Sequence, residues 1–189
     1  MSSCRRRIAA FGGLTGIAGL LVVFCILPLS SSYLERHRGT LRTMRARMRG
    51  ALFATGNEVV LQRQSNDCGA AALKMILDGH GVECRLSDLA SDLQLTPKGT
   101  SILNLRLAAT QLGVPAKSWM VHPNDLPRVP LPAIAFINRN HFVVIRRFIA
   151  PRVLEVDDPA LGRLHWRLGD FQRVWSGETL VFDPAWSPF

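Results

Sequence analysis

The chain contains the stretch Gln62-Arg-Gln-Ser-Asn-Asp-Cys68-Gly-Ala-Ala-Ala-Leu73, which predicts a helix with a cysteine in its first turn. Asn66 or Asp67 can cap this helix by accepting hydrogen bonds from its unpaired backbone N–H groups. A thiol there lies at the positive end of the helix dipole, which lowers its pKa and favours the nucleophilic thiolate. Cys68 is therefore a candidate catalytic nucleophile, although a lone cysteine in a helix is more often a small buried residue.

The charge of the chain is concentrated near its N-terminus. The formal net charge of the 189 residues is +9, but residues 1–50 hold nine Arg and one Glu, whereas residues 51–189 hold 14 Lys and Arg against 13 Asp and Glu. A nucleic-acid-binding domain needs a basic surface of its own. The nearly neutral second part therefore argues against a nucleic-acid partner.

An uncharged apolar run from Ile8 to Leu29 has the length that crosses a bilayer as a helix. A cleaved signal peptide is the alternative, because Arg5 to Arg7 resemble its positive start. The run is longer than a usual signal-peptide core and no Ala-x-Ala-like site follows it, which favours a retained single-pass anchor over residues 1–32. Six arginines between Arg36 and Arg49 can face anionic lipid, and this heavier charge after the span favours a cytoplasmic domain. The alternative orientation keeps the short Arg-rich N-terminus inside and sends the remainder out.

The rest of the chain is predicted to consist of a basic segment and one domain. Residues 33–56 are expected to form a juxtamembrane helix or linker, and residues 57–189 the domain. Helical spacing and stop signals predict three helices early in the domain. They are Cys68 to about Asp78, Leu86 to Leu93 with Ser87 as its cap, and a helix opened by Lys98 to Ser101 that runs to Leu112.

The second half of the domain changes to the pattern of antiparallel strands, with short apolar or alternating runs between turn residues. The predicted strands are Ala116–Val121, Ala133–Ile137, Phe142–Phe148, Val153–Val156 and Thr179–Phe182, with a short helix near Gly169–Trp175. Helices followed by strands predict an α+β domain in which one face of a sheet packs on the Cys68 helix.

A thiolate needs a general base, and the chain offers five histidines. Of these, His141 stands at the entrance of the apolar strand His-Phe-Val-Val-Ile, directly after the turn Asn138-Arg139-Asn140. A ring there can face a cleft while its strand is held by the core. The structural alternative is an ordinary strand-end histidine.

An orienting carboxylate and an oxyanion donor complete the expected site. A strand antiparallel to that of His141 ends in Asp157 and Asp158, which point to opposite faces, so only one can reach the ring. Alternatively, Asp-Pro at this point is only a turn signal. Gln62 and Gln64 both lie just upstream of Cys68 and qualify by type as oxyanion donors. This chemistry requires no metal or cofactor.

Three separated motifs carry a resemblance to a known family. They are QRQSNDCGAAAL around Cys68, LPAIAFINRNHFVVI around His141 and EVDDPALGR around Asp158, and the closing segment Phe171-x3-Trp175-Ser-Gly-Glu-Thr-Leu agrees as well. In this order they resemble the bacteriocin-processing cysteine peptidases. These are papain-like domains that cleave leader peptides after a Gly-Gly pair and often form the N-terminal part of ABC transporters.

The resemblance implies a papain-like fold for the α+β domain, which the predicted transmembrane helix precedes, and it implies a role for each residue. Cys68 is expected to be the nucleophile, His141 the base and then the acid, Asp158 the orienting carboxylate and Gln62 the oxyanion donor. Asp157 and Gln64 are the second choices for the last two roles.

The substrate implied by the resemblance is a secreted peptide with a Gly-Gly leader. A chain of 189 residues has no room for transporter helices or an ATPase, so coupling to export would need a separate ABC exporter. Two other hypotheses are a tethered module that binds leaders without cutting them, and a papain-like enzyme with a broader cell-envelope target.

Overall fold

The computed structural model describes residues 40–54, 59–183 and 185. Within these residues the helices are α1 (40–48), α2 (Cys68–Gly79), α3 (Leu86–Asp92), α4 (Ile102–Gln111) and α5 (Leu168–Val174). The strands are β1 (Ala51–Phe53), β2 (Lys117–Met120), β3 (Ala133–Ile137), β4 (His141–Ala150), β5 (Val153–Asp158), β6 (Gly162–Arg167) and β7 (Trp175–Val181). A 3₁₀ helix over Pro123–Arg128 joins β2 to β3.

The strands form one antiparallel sheet in the order β1-β6-β5-β4-β3-β7-β2. Its centre is built from successive hairpins, from β3 to β6. The β3–β4 turn holds Asn138 and Arg139 at positive φ, 53° and 58°. Two successive left-handed residues match the twist of a tight hairpin, and His141 follows this turn as the first residue of β4.

Each face of the sheet carries its own apolar core. On one face, α2, α3 and α4 pack against side chains such as Phe142 and Val144 of β4. The residues that follow Cys68 are small and fully buried, so the first turns of α2 lie close to their neighbours. On the other face, Phe171 of α5 and Ala46 of α1 join the apolar side chains of β3 to β6. The start of β4 therefore lies in a sheet that is packed on both faces.

The predicted helices and strands are confirmed to within a few residues, with a few exceptions. The strand β1 was not predicted, and β7 begins at Trp175 rather than Thr179. The predicted cap Ser87 is wrong, because Arg85 precedes α3 and the Ser87 hydroxyl donates to the Asp88 carboxylate instead.

The N-terminal side of the domain differs from the predicted boundary near residue 57. The compact unit that contains the sheet starts at Arg42, Ala46 and Ala51 are 7% and 1% exposed, and β1 pairs with β6. Residues 42–54, predicted to be part of a linker, therefore belong to the packed domain. The predicted anchor, residues 1–32, lies outside the described residues, among which no helix is long and apolar enough to span a membrane.

Candidate active site

The imidazole of His141 and the carboxylate of Asp158 meet where two neighbouring strands begin and end. His141 opens β4, Asp158 closes β5, and the antiparallel pairing of these strands brings the two ends together. His141 Nε2 lies 2.7 Å from Asp158 Oδ1. The same oxygen accepts the backbone N–H of Ala160 at 2.7 Å. The carboxylate is thus held in place and fixes the ring.

The thiol of Cys68 is the third member of this arrangement. Cys68 is the first residue of α2 and is 7% exposed, and its sulfur is hydrogen-bonded to His141. Because Nε2 is occupied by Asp158, Nδ1 is the ring nitrogen left for the sulfur. The backbone N–H groups of Phe142 and Gly69 also lower the pKa of the thiol. The surroundings of the sulfur therefore favour the thiolate.

These contacts shift both pKa values toward an ion pair. Burial raises the pKa of the Cys68 thiol, but the hydrogen bond and charge of His141, with the two backbone donors, hold that pKa below its ordinary value. Burial lowers the pKa of His141, but Asp158 and Cys68 outweigh it and raise the pKa to about 9. Near neutral pH the arrangement therefore favours a thiolate beside an imidazolium, which is the reactive form of a cysteine nucleophile.

The prediction that Asn66 or Asp67 caps α2 with its side chain is wrong. Asp67 is the N-cap residue, but its carboxylate turns back and accepts the N–H groups of Arg63 at 3.0 Å and Gln64 at 3.1 Å. Asn66 donates its side-chain amide to the carbonyl of Thr96. Neither side chain therefore caps the first N–H groups of α2, and the N–H of Gly69 contributes to the lowered pKa of the Cys68 thiol.

The structure separates the two candidate carboxylates. Asp157 is fully buried and binds Arg163 through both oxygens, at 2.7 Å and 3.1 Å, with Arg146 at 3.3 Å. It is thus held by two arginines, whereas its neighbour Asp158 contacts His141. In the structure, only one of the two carboxylates contacts the His141 ring, as the strand alternation predicts.

The backbone of Gln62 is bound to the residue after Asp158, whereas Gln64 is exposed. The backbone N–H of Gln62 donates to the carbonyl of Pro159, the residue after Asp158, at 2.8 Å. Its side-chain nitrogen Nε2 donates to the carbonyl of Gln64 at 2.6 Å, and its buried oxygen Oε1 has no hydrogen-bond partner in the described part of the chain. An amide nitrogen carries two hydrogens, so one remains for a further acceptor.

A close contact beside Cys68 was not anticipated from the sequence. A β-carbon on Gly69 would lie 2.6 Å from the methyl carbon of Thr100 and 3.2 Å from the ring of Phe142. Only glycine fits there, so the loop before α4 lies directly against the start of α2. The Cys-Gly pair was the one sequence signal for this packing.

The other three histidines of the described residues, and the second cysteine of the domain, lie elsewhere. His80 follows the end of α2, His122 precedes the 3₁₀ helix, and His165 is 3.4 Å from Glu155. Cys68 and Cys84 are both free thiols. Among the described histidines, His141 is the one hydrogen-bonded to Cys68.

Comparison with known proteins places this geometry in context. The chain is 31% identical to a solved double glycine motif protease from an AMS/PCAT transporter in complex with the leader peptide, with a TM-score of 0.63 over 67% of this chain and 91% of that one. It is 30% identical to the lacticin-481/lactococcin-DR transport/processing ATP-binding protein of Lactococcus lactis subsp. lactis, covering 67% of this chain and 19% of that protein. It is 29% identical to the probable functional amyloid protease FapD of Pseudomonas aeruginosa, covering 64% of this chain and 58% of that protein.

These similarities confirm the predicted papain-like α+β fold of helices packed on an antiparallel sheet. Residues 57–187 of the chain match the Peptidase C39 family. That range contains Gln62, Cys68, His141 and Asp158 and begins after α1 and β1. The chain therefore belongs to the peptidase C39 family of cysteine peptidases.

Proposed function

We propose that this protein is a membrane-tethered cysteine endopeptidase that cuts leader peptides after a Gly-Gly pair, with Cys68 as nucleophile, His141 as base and acid, Asp158 as orienter and Gln62 as oxyanion donor. The observation that carries the proposal is the hydrogen-bonded series Cys68, His141 and Asp158. In it, the pKa of the thiol is lowered and that of the imidazole is raised to about 9. Both shifts favour the reactive ion pair.

In the first step, the Cys68 thiolate attacks the carbonyl carbon of the residue before the cut, and the carbonyl oxygen becomes an oxyanion. The backbone N–H of Cys68 and the free amide hydrogen of Gln62 are suited to hold that oxyanion. The His141 imidazolium then gives its proton to the leaving amine as the C–N bond breaks, which leaves a thioester on Cys68.

In the second step, water hydrolyses the thioester. Neutral His141 takes a proton from the water as the hydroxide equivalent attacks the carbonyl carbon, and the carbon–sulfur bond breaks to return the thiolate. Asp158 keeps the ring oriented in both steps and stabilises the imidazolium when it forms. Water is the only co-reactant of the cycle, and neither step needs an oxidant or a reductant.

The Gly-Gly preference is supported by the relatives rather than by the geometry of the cleft. The solved relative at 31% identity is named as a double glycine motif protease and is bound to a leader peptide. The Lactococcus relative is named as a transport and processing protein. A narrow cleft that admits only hydrogen as a side chain would select glycine at the two residues before the cut.

The membrane tether is supported by the sequence and by one surface of the domain. The uncharged run Ile8–Leu29 is long enough to span a bilayer, and arginines follow it. In the domain, Met44, Met48 and Leu52 are 56%, 86% and 69% exposed. Exposed apolar side chains beside arginines suit a membrane surface. We propose that the domain lies on the cytoplasmic side and works with a separate ABC exporter.

A tethered module that binds leaders without cutting them is the second candidate function. Binding an extended peptide requires a groove but does not require an ionised thiol. The paired contacts of His141 with Cys68 and Asp158 therefore favour the enzyme over the binding module.

The proposal is tested with the purified full-length chain and a synthetic Gly-Gly leader peptide, with the cut site identified by mass spectrometry. We expect Cys68→Ala to abolish cleavage, and Cys84→Ala, which changes the other free thiol of the domain, to leave it unchanged. A mild alkylating reagent at neutral pH should modify Cys68 faster than Cys84, and His141→Ala should remove the difference. Undiminished turnover by Cys68→Ala would refute the assignment.

A further inference from the structure

A basic concave surface adjoins the catalytic pair. A cavity of about 340 Å³ is lined by His141 and Asp158 on one side and by Arg42, Arg45 and Arg49 on the other. A second, open concavity of about 880 Å³ continues from it through Arg49 and Asn138, which line both. We call the two together the basic cleft. The arginines that line its first part come from α1 and the turn after it, and these residues precede the family match that begins at residue 57.

The position of these arginines is fixed by packing. Ala46 of α1 is 7% exposed in the core of the sheet face, and β1 pairs with β6. A β-carbon on Gly50 would overlap the carboxylate of Asp170, so the turn between α1 and β1 lies against this side chain of α5. Arg49 also donates to the side-chain oxygen of Asn138. The segment therefore presents its arginines to His141 from a defined place.

The carboxylates that line the basic cleft do not neutralise its arginines. Among the ion pairs of residues 40–54 and 59–183, none involves Arg42, Arg45 or Arg49. Two carboxylates line the cleft, and both are engaged: Asp158 with His141, and Asp170 with Arg173. Like charges that converge in a concavity repel each other, and an anionic ligand relieves that repulsion. Guanidinium groups bind carboxylates through two parallel hydrogen bonds.

We propose that the basic cleft is a subsite for acidic side chains of the peptide substrate, and that Arg42 and Arg45 select substrates with Asp or Glu close to the scissile bond. The inference rests on the proposed peptidase function. Its occupant is a peptide because the cavity is lined by His141, the partner of the Cys68 thiol that attacks the scissile bond. A peptide extends about 3.3 Å per residue, so an acidic side chain within roughly four residues of the cut reaches the cavity.

Anionic lipid is the competing occupant, since arginine forks also bind phosphate. A lipid surface would contact the exposed apolar side chains of α1, Met44 and Met48, from outside the domain. The cavity instead leads inward to the catalytic pair. The structure therefore favours the peptide, and vesicle binding becomes one readout of the test.

The test compares Arg42→Gln/Arg45→Gln with wild type, both as full-length chains. A matched control, Arg85→Gln/Arg106→Gln, removes two charges near α3 and on α4, away from the cleft. The substrates are Gly-Gly peptides with Glu within four residues of the cut, before it or after it, and the same peptides with Gln. We expect the cleft variant to lose about tenfold in kcat/KM on one of the Glu peptides, mostly through KM, and to cut the Gln peptides as wild type does. The control variant should behave as wild type on all of them.

Charge reversal sharpens the test. Arg42→Glu/Arg45→Glu should prefer a Lys peptide to the Glu peptide, a preference that damage to the fold cannot produce. An equal loss on Glu and Gln peptides, or no loss on either, would overturn the proposal. So would a loss confined to binding of vesicles that contain phosphatidylglycerol.

Binding measured in a Cys68→Ala background separates this inference from the proposed function. Fluorescence anisotropy with labelled Glu and Gln peptides reports on the subsite even if no peptide is cleaved. If wild type cuts Gly-Gly peptides without regard to acidic neighbours, the subsite fails and the proposed function stands. If the Glu peptide binds through the arginines but is never cut, the proposed function fails and the subsite stands.

Discussion

The imidazole of His141 is held between Asp158 on Nε2, at 2.7 Å, and the sulfur of Cys68 on its other side. Each of these partners stabilises the charged ring. The ring is itself the main group that lowers the pKa of the thiol. Charge on either member of the pair therefore favours charge on the other, so the two titrate as a unit.

The first prediction concerns pH. Activity requires a deprotonated thiol and a protonated ring, so kcat/KM for a leader peptide should rise through the lowered pKa of Cys68 and fall near pH 9, where His141 loses its proton. In Asp158→Asn the alkaline limb should move to lower pH, because the partner that raises the pKa of His141 most is weakened. An alkaline limb near 6.5 in wild type would contradict the ion pair.

The second prediction separates Asp158 from Asp157. Asp158→Asn should lower kcat by at least about tenfold, within a limit of about 10⁴-fold known for the buried carboxylate of a serine-protease triad. Asp157→Asn should leave the turnover of the folded protein nearly unchanged. It should instead lower the free energy of unfolding by about 3 kcal/mol or less, since it removes the fully buried carboxylate that binds both Arg163 and Arg146.

These two variants are compared by urea unfolding and by kcat on the same peptide. If Asp157→Asn loses turnover while Asp158→Asn loses only stability, the roles of the two carboxylates are reversed.

The third prediction concerns the oxyanion. Gln62→Ala should lower kcat by about 10²- to 10³-fold with little change in KM, because an oxyanion donor acts on the transition state. Gln64→Ala is the matched control, since that side chain is exposed and should leave both constants within about twofold. A Gln62→Ala enzyme with unchanged kcat would remove this residue from the chemistry.

The fourth prediction concerns Gly69. Gly69→Ala should destabilise the protein by about 1–3 kcal/mol, since its β-carbon would overlap the methyl group of Thr100. Gly79→Ala, in the last turn of the same helix, meets no atom within 4 Å and should be neutral or slightly stabilising. Adding Thr100→Ser to Gly69→Ala removes that methyl group and should restore part of the lost stability in thermal unfolding.

Much of the domain could be predicted because its signals are local. Helix α2 follows from apolar spacing closed by glycine, and β3 from an apolar run between turn residues. The opposite faces of Asp157 and Asp158 follow from strand alternation, although alternation cannot tell which of the two reaches His141. The resemblance favoured Asp158, and the structure places it on the ring.

The parts that could not be predicted depend on contacts between distant segments. β1 is only three residues long, and it is a strand because β6 pairs with it, more than 100 residues later. Asp67 has the residue type of a helix cap, but its carboxylate binds backbone N–H groups of the preceding turn instead. The basic character of α1 was visible in the sequence, whereas its packing beside His141 depends on Ala46, β1 and Gly50.

The pairing of β1 with β6 also bears on the edge of the sheet. β1 covers the outer backbone groups of β6, and a strand with such groups unpaired is a template for joining another chain edge to edge. A fragment cut at the family boundary, residue 57, would expose that edge together with the apolar side chains that Ala46 and Ala51 cover. The short segment before the peptidase domain thus protects the sheet against self-association.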